Sequence, residues 1–141
     1  MNEQMASALA AEEAAIYAYG LIGVNLTGDM DLDQARTAEA THRARRDVLV
    51  SRLDQLKAST APAPAGYQLP FAVTDRASAL RLAIHIEDGV AQAWRAALPT
   101  TTGTDRSTSL NALTDAAVRA TRWRRLAGVT PLTMPFPGRP S

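Results

Sequence analysis

The sequence predicts an all-α protein, a four-helix bundle with a long crossover between helices 2 and 3 and a proline-rich C-terminal tail. Aromatic residues make up only 5% of the chain, and abundant alanine favours helix over sheet. Apolar residues recur every three or four positions in four segments, which is the period of a helix with one buried face. The breaks between these segments are short, long and short, and this pattern sets the order of the helices.

Length, charge and the lack of cysteine limit the function classes. The 141 residues suit a single domain. A net charge of +1 is too small to indicate a nucleic-acid partner or a membrane surface. The chain has no cysteine, which excludes disulfides, thiolate catalysis and cysteine zinc sites. No apolar stretch reaches the ~18 residues of a membrane span, and the N-terminus lacks a signal-peptide pattern, so we expect a cytoplasmic protein.

The four helices are predicted over residues 2–26, 31–58, 75–98 and 105–127. The long break, residues 59–73, can extend up to about 50 Å, whereas a helix of ~25 residues is about 37 Å long. It can therefore run the length of the bundle, so that helix 3 starts parallel to helix 2. This up-down-down-up order with one crossover is the ferritin-like arrangement. The stripe of the fourth helix is read as Leu110, Leu113, Ala117 and Ala120, with Arg124 as a further candidate.

The chain after the bundle is predicted to form a separate element. Residues 1–128 make up the bundle, and residues 129–141 are a tail whose prolines exclude a helix. Leu132, Met134 and Phe136 alternate with other residues, so one side of the tail is expected to pack down. We expect a strap that lies on the bundle or on a neighbouring subunit.

Polar residues interrupt the apolar stripes near the middle of three helices. They are Glu12 on the first helix, Glu39, His42 and Arg46 on the second, and Glu87 on the third. A buried polar group must be paired or must bind something, because its transfer from water is otherwise costly. Glu39 and His42 are three residues apart and share a helix face, which is the spacing of the metal-binding Glu-x-x-His unit in helix bundles.

Several stretches of the chain carry a family resemblance. They are Ala11–Gly20, His42–Asp47, Leu80–Trp94 and Ala116–Pro140, the last with the runs Arg122-Trp-Arg-Arg125 and Pro131-Leu-Thr-Met-Pro-Phe-Pro-Gly138. Together they resemble an uncharacterised actinobacterial ferritin-like family, a domain of unknown function. The resemblance covers nearly the whole chain. It implies a ferritin-like fold and brings no activity with it.

The wider ferritin-like superfamily implies a partial metal site. Its di-iron members use one Glu from each of two helices and a Glu-x-x-His from each of the other two. Glu12 and Glu87 match the two lone acids, and Glu39 with His42 matches one Glu-x-x-His pair. The fourth helix has Asp115-Ala-Ala-Val118 in place of the second pair. The resemblance thus implies at most a mononuclear or asymmetric site, held by Glu12, Glu39 and His42 with Glu87 as a further ligand. Two carboxylates and an imidazole suit iron, manganese or zinc.

A metal-free interpretation stands beside this one. Arg46, Arg119 and Arg122 can neutralise buried acids through guanidinium hydrogen bonds. The chain is then a binding or structural module without a cofactor, with a buried Glu/His/Arg network or a small ligand in the bundle centre. The alternative is a metalloprotein with an iron or manganese site for redox or metal handling. We expect a homodimer in either case, and whether the protein is an enzyme stays open.

Overall fold

The computed structural model describes residues 1–140, and their fold is all-helical, with four α-helices and no strand. The helices are α1 (Asn2–Val24), α2 (Asp29–Gln55), α3 (Arg76–Ala97) and α4 (Gly103–Ala127), with a 3₁₀ turn at Leu98–Thr100 before α4. The all-α class and the four helices are confirmed. Ser141, the last residue of the predicted tail, lies outside the described residues. No helix within residues 1–140 has the length and hydropathy of a membrane span.

Local sequence signals set the start of α3 and the end of α4. The Asp75 carboxylate accepts a hydrogen bond from the Ser78 backbone N–H at 2.8 Å, and the Ser78 hydroxyl accepts one from the Asp75 N–H at 3.1 Å. This reciprocal pair is a capping box, which satisfies two free N–H groups at a helix start. Gly128 ends α4 in the left-handed conformation, with φ +69°, which glycine adopts without a steric cost.

Two clusters of buried residues give the direction of each helix. One cluster combines Met5 and Leu9 of α1, Leu49 and Leu53 of α2, Trp94 of α3 and Ala112 of α4. The other combines Tyr19 and Ile22 of α1, Ala35 and Ala38 of α2, Leu80 and Ala83 of α3, and Trp123 of α4. The start of α1 therefore meets the ends of α2 and α3 and the start of α4. Accordingly α2 and α3 run parallel to each other and antiparallel to α1 and α4.

The buried face of α4 differs from the predicted stripe by a rotation. Ala112, Ala116, Ala120 and Trp123 are buried, whereas Leu110 is 51% exposed. The small alanines let α4 pack closely against α3, and the large Trp123 fills the space at the far end. The predicted stripe is correct for Ala120 and wrong for Leu110, because close helix contact favours small side chains over large ones at the crossing.

The crossover and the tail both pack on the bundle. Leu69, Phe71 and Val73 of the crossover contact the cluster that contains Trp123. The tail lies against α3, where Arg95 donates a hydrogen bond to the Pro137 carbonyl at 3.0 Å. Gly138 has φ +78°, and a Cβ atom there would lie 2.5 Å from the Ala91 carbonyl oxygen. The tail backbone thus touches the backbone of α3 at a point where only glycine fits.

Gly138→Ala is expected to loosen the tail. The left-handed conformation alone costs a non-glycine residue roughly 1–2 kcal/mol, and the added methyl group would collide with Ala91. We expect faster amide hydrogen exchange across residues 129–140. Gly89→Ala is the control, because Gly89 lies inside α3 and a Cβ there meets nothing within 4 Å. That change should stabilise the protein by about 0.4–1 kcal/mol. Unchanged exchange in Gly138→Ala would show that the contact does not hold the tail.

Candidate functional site: a buried charge network

Three helices bring Glu12, His42 and Glu87 together near their midpoints. All three side chains are fully buried. The Nδ1 atom of His42 contacts Glu12 Oε2, and its Nε2 atom lies 2.8 Å from Glu87 Oε1. When both acids are ionised they can only accept hydrogen bonds, so each ring nitrogen then carries a proton. His42 is therefore an imidazolium cation held between two anionic carboxylates.

Aromatic side chains extend this cluster in both directions. Trp94 donates from Nε1 to Glu12 Oε1 at 2.7 Å, and the Tyr19 hydroxyl donates to Glu87 Oε1 at 2.7 Å. Trp123 donates from Nε1 to the Tyr19 hydroxyl oxygen at 2.9 Å. The result is a continuous hydrogen-bonded chain from Trp94 to Trp123 through the buried acids and His42. Burial and the neighbouring Glu87 carboxylate both raise the pKa of Tyr19 well above its ordinary value, so its hydroxyl stays protonated.

Helix α4 adds a positive charge to the cluster. Arg119 places Nη1 3.6 Å from Glu87 Oε1 and 2.8 Å from Asp115 Oδ2, and its side chain is only 11% exposed. Burial alone would lower the pKa of Arg119, but the charges of Glu87 and Asp115 outweigh it and raise the pKa. The imidazolium and this guanidinium balance the charges of Glu12 and Glu87. We call Glu12, His42, Glu87 and Arg119 with Tyr19, Trp94 and Trp123 the charge network.

The pKa of His42 reflects these contacts. Burial would lower it, because the charged ring loses its hydration. The hydrogen bonds to Glu12 and Glu87, together with the charges of both carboxylates, outweigh burial and raise the pKa from 6.5 to about 9. His42 is consequently charged at neutral pH, in agreement with the two-sided contact of its ring.

Some residues predicted for the site lie elsewhere. Glu39 is partly exposed and pairs with Arg43 at 2.8 Å, so it stays apart from His42. A step of three residues turns a helix about 60° short of a full circle, which carries Glu39 to the edge of the buried face. Arg46 pairs with Asp47 at 3.0 Å, and Arg122 is exposed. Of the three arginines considered from the sequence, Arg119 is the one that joins the buried acids.

Sequence reasoning did not predict the donors at the two ends of the network. Trp94 and Trp123 are each only 1% exposed. Their indole N–H groups each need an acceptor once buried. Trp94 has a buried acid and Trp123 a buried hydroxyl within reach. For Trp94 the available signal was its position on the same stripe of α3 as Glu87.

The donor atoms do not suit a metal ion as they are arranged. In residues 1–140, no group of three or more His, Asp or Glu side chains is placed to hold a metal. Both nitrogens of His42 carry protons and have no lone pair to give. The guanidinium of Arg119 occupies the side from which α4 would supply further ligands. The Oε2 atom of Glu87 is buried without a hydrogen-bond partner, and one free oxygen is not a coordination site.

Comparison with known proteins places the chain in a group without an assigned role. The model of a family described as a domain of unknown function, DUF4439, matches residues 4–141. The fold is similar to the crystal structure of a conserved hypothetical protein from Mycobacterium tuberculosis, with 40% sequence identity and a TM-score of 0.84. That match covers 89% of this chain and 95% of the other. No curated protein matches the chain.

Arg119→Met is expected to destabilise the protein, because it leaves Glu87 with one cation fewer in a buried site. Removing one partner of a buried ion pair costs about 3–5 kcal/mol. Arg122→Met is the matched control on the same helix, and an exposed change of this kind is expected to cost less than about 0.5 kcal/mol. Urea denaturation measures both free energies of unfolding. Equal values for the two variants would remove Arg119 from the charge network.

Stability is expected to fall as pH rises above neutral. The pKa of His42 is about 9 in the folded protein and near 6.5 in an unfolded chain. The folded state therefore holds the proton more tightly. The contribution of protonated His42 to the free energy of unfolding is fully present below about pH 6.5 and is lost as pH rises through about 9. The difference between the two pKa values corresponds to a contribution of roughly 3 kcal/mol. The test is the free energy of unfolding measured from pH 6 to 9.5.

The two histidines of the chain supply the comparison for this pH dependence. His85→Gln should keep the wild-type slope, since His85 is exposed. His42→Gln should lose the slope and be less stable at pH 6.5. A wild-type protein whose stability does not change over this range would contradict the imidazolium.

Proposed function

Since the chain belongs to the DUF4439 family of unknown function, we propose that it is a ferritin-like binding module in which the charge network takes the place of a metal centre. The helix order supports the ferritin-like assignment: α2 and α3 run parallel and are joined by a crossover along the bundle. The network also lies at the midpoints of the helices, where bundles of this type hold their metal ligands.

The observation that carries this proposal is the position of His42 between two carboxylates. In a metal-binding bundle the imidazole gives a lone pair to the ion and its other nitrogen donates to a second acceptor. Here both nitrogens donate to carboxylates that would themselves be ligands. A divalent ion would have to displace one of these protons. It would then lie near the guanidinium of Arg119, whose Nη1 atom is 3.6 Å from Glu87 Oε1. Both steps oppose binding electrostatically.

The charge network is suited to a structural role in the bundle. Six buried side chains from all four helices share one hydrogen-bonded system, Arg119 adds its charge 3.6 Å from Glu87, and an unpaired member would be costly. Such a system favours one relative position of the helices over others. A rigid bundle with no chemistry at its centre can present fixed surfaces and clefts to a ligand or partner. We propose this binding role for a cytoplasmic homodimer.

One observation favours a metalloprotein as the second candidate. The Oε2 atom of Glu87 is buried and has no hydrogen-bond partner, and Glu12 and His42 are adjacent. Two carboxylates and an imidazole suit iron or manganese when the imidazole is neutral. In this candidate, binding would release the ring protons of His42, so that metal uptake rises with pH.

The metal content of the untagged protein distinguishes the two candidates. After purification without chelator and incubation with Fe(II) or Mn(II), we expect much less than one metal ion per chain. Metal-free protein at pH 7 should also give two ring N–H signals from His42 in nitrogen-15 NMR, which are lost in His42→Gln. Elemental analysis and circular dichroism are applied to wild type, His42→Gln and Glu39→Ala.

One pattern of metal content across the three proteins would overturn the proposal. The ion must be present in wild type and in Glu39→Ala, whose side chain lies outside the network, and absent from a folded His42→Gln. In that case the second candidate is correct.

A further inference from the structure

The side of the bundle between α2 and α4 is built differently from the others. The pairs α1–α2, α1–α3 and α3–α4 pack directly. Long polar side chains span α2 and α4 instead. Arg45 donates to the Ala112 carbonyl at 3.0 Å and lies 3.2 Å from Asp115, while Arg52 pairs with Asp105 at 2.9 Å. These bridges connect the two helices across a gap, and a cleft lies beside them.

The cleft contains a cavity of about 430 Å³ between the second half of α2 and the first half of α4. Ala44 and Val48 line it from α2, and Ala112 lines it from α4. Trp94 comes from α3 and is 1% exposed, so its indole lies at the bottom. The volume is in the range of sites for small molecules, roughly 300–1,000 Å³. The surface of its walls is mostly apolar, and its floor is aromatic.

The charges around the cavity disfavour an ionic ligand. Arg45 is the charged residue among those that line it, and its guanidinium is already held by the Ala112 carbonyl and Asp115. The remaining polar groups, those of Thr41, Thr108 and Asn111, are neutral donors and acceptors. An ion would lose its hydration here without gaining a counter-charge.

We propose that this cavity binds an uncharged, predominantly apolar small molecule with a ring that contacts Trp94 and a hydroxyl or carbonyl group within reach of Thr41 or Asn111. The ligand lies outside the charge network but touches it, because Trp94 donates to Glu12 at 2.7 Å. The inference rests on the proposed binding role. The metal content of the protein is measured separately, so the two proposals can fail independently.

The probe for this site is N-phenyl-1-naphthylamine, a neutral aromatic compound whose fluorescence increases in apolar surroundings. Ala44→Phe should fill the cavity from an exposed position on α2. Ala40→Phe is the matched control, since Ala40 is exposed one turn earlier and does not line the cavity. We expect saturable binding of one probe per chain to wild type and Ala40→Phe. Affinity should fall at least about tenfold, or 1.4 kcal/mol, in Ala44→Phe.

A second filling variant guards against an effect of α2 alone. In Asn111→Phe the new side chain fills the cavity from the opposite wall, on α4. This variant should lower the affinity for the probe in the same way. Absence of saturable binding to wild type would overturn the proposal, and so would equal affinity in wild type and both filling variants. If wild type fails to bind the probe and Ala44→Phe turns a dimer into a monomer in light scattering, a second copy covers the cleft and the ligand proposal is wrong.

Discussion

The interior of this bundle depends on one charged ring between two carboxylates. A neutral His42 would turn a lone pair toward Glu12 or Glu87, and in a medium of low dielectric that repulsion would be large. The proton therefore links α1, α2 and α3, because each contributes one member of the trio. Since all three members lie near the middle of their helices, the contact also sets the axial positions of the helices relative to one another.

Helix α4 joins the charge network through contacts with α1 and α3 and not with α2. The cleft between α2 and α4 results from this arrangement. Arg119 and Trp123 reach Glu87 and Tyr19, which belong to α3 and α1. Helix α2 has no comparable partner on α4 and meets it through arginines at the surface. The cleft between α2 and α4 therefore lies on the side of the bundle that the charge network does not close.

The sequence was sufficient to predict the four helices and the burial of three polar residues. Glu12, His42 and Glu87 interrupt apolar stripes, and the apolar neighbours on the same face carry them into the core. Glu39 also lay on the stripe as drawn, but a three-residue step from His42 moves it sideways, and Arg43 offers it a partner near the surface. The choice of Arg119 over Arg46 and Arg122 depends on the rotation of α4 and on side-chain reach. Neither follows from spacing alone, because alanine-rich faces leave the rotation of a helix weakly determined.

The balanced charges of the network also constrain how sequences of this family can diverge. A change at Glu12, His42, Glu87 or Arg119 alone leaves a buried charge without its counterpart, and such a loss is large compared with the total stability of a small domain. Replacing oppositely charged members together avoids this intermediate, and apolar residues of similar volume can even be stabilising in such positions. Substitutions here are accordingly expected as compensated pairs among relatives, so that positions distant in the chain vary together or not at all.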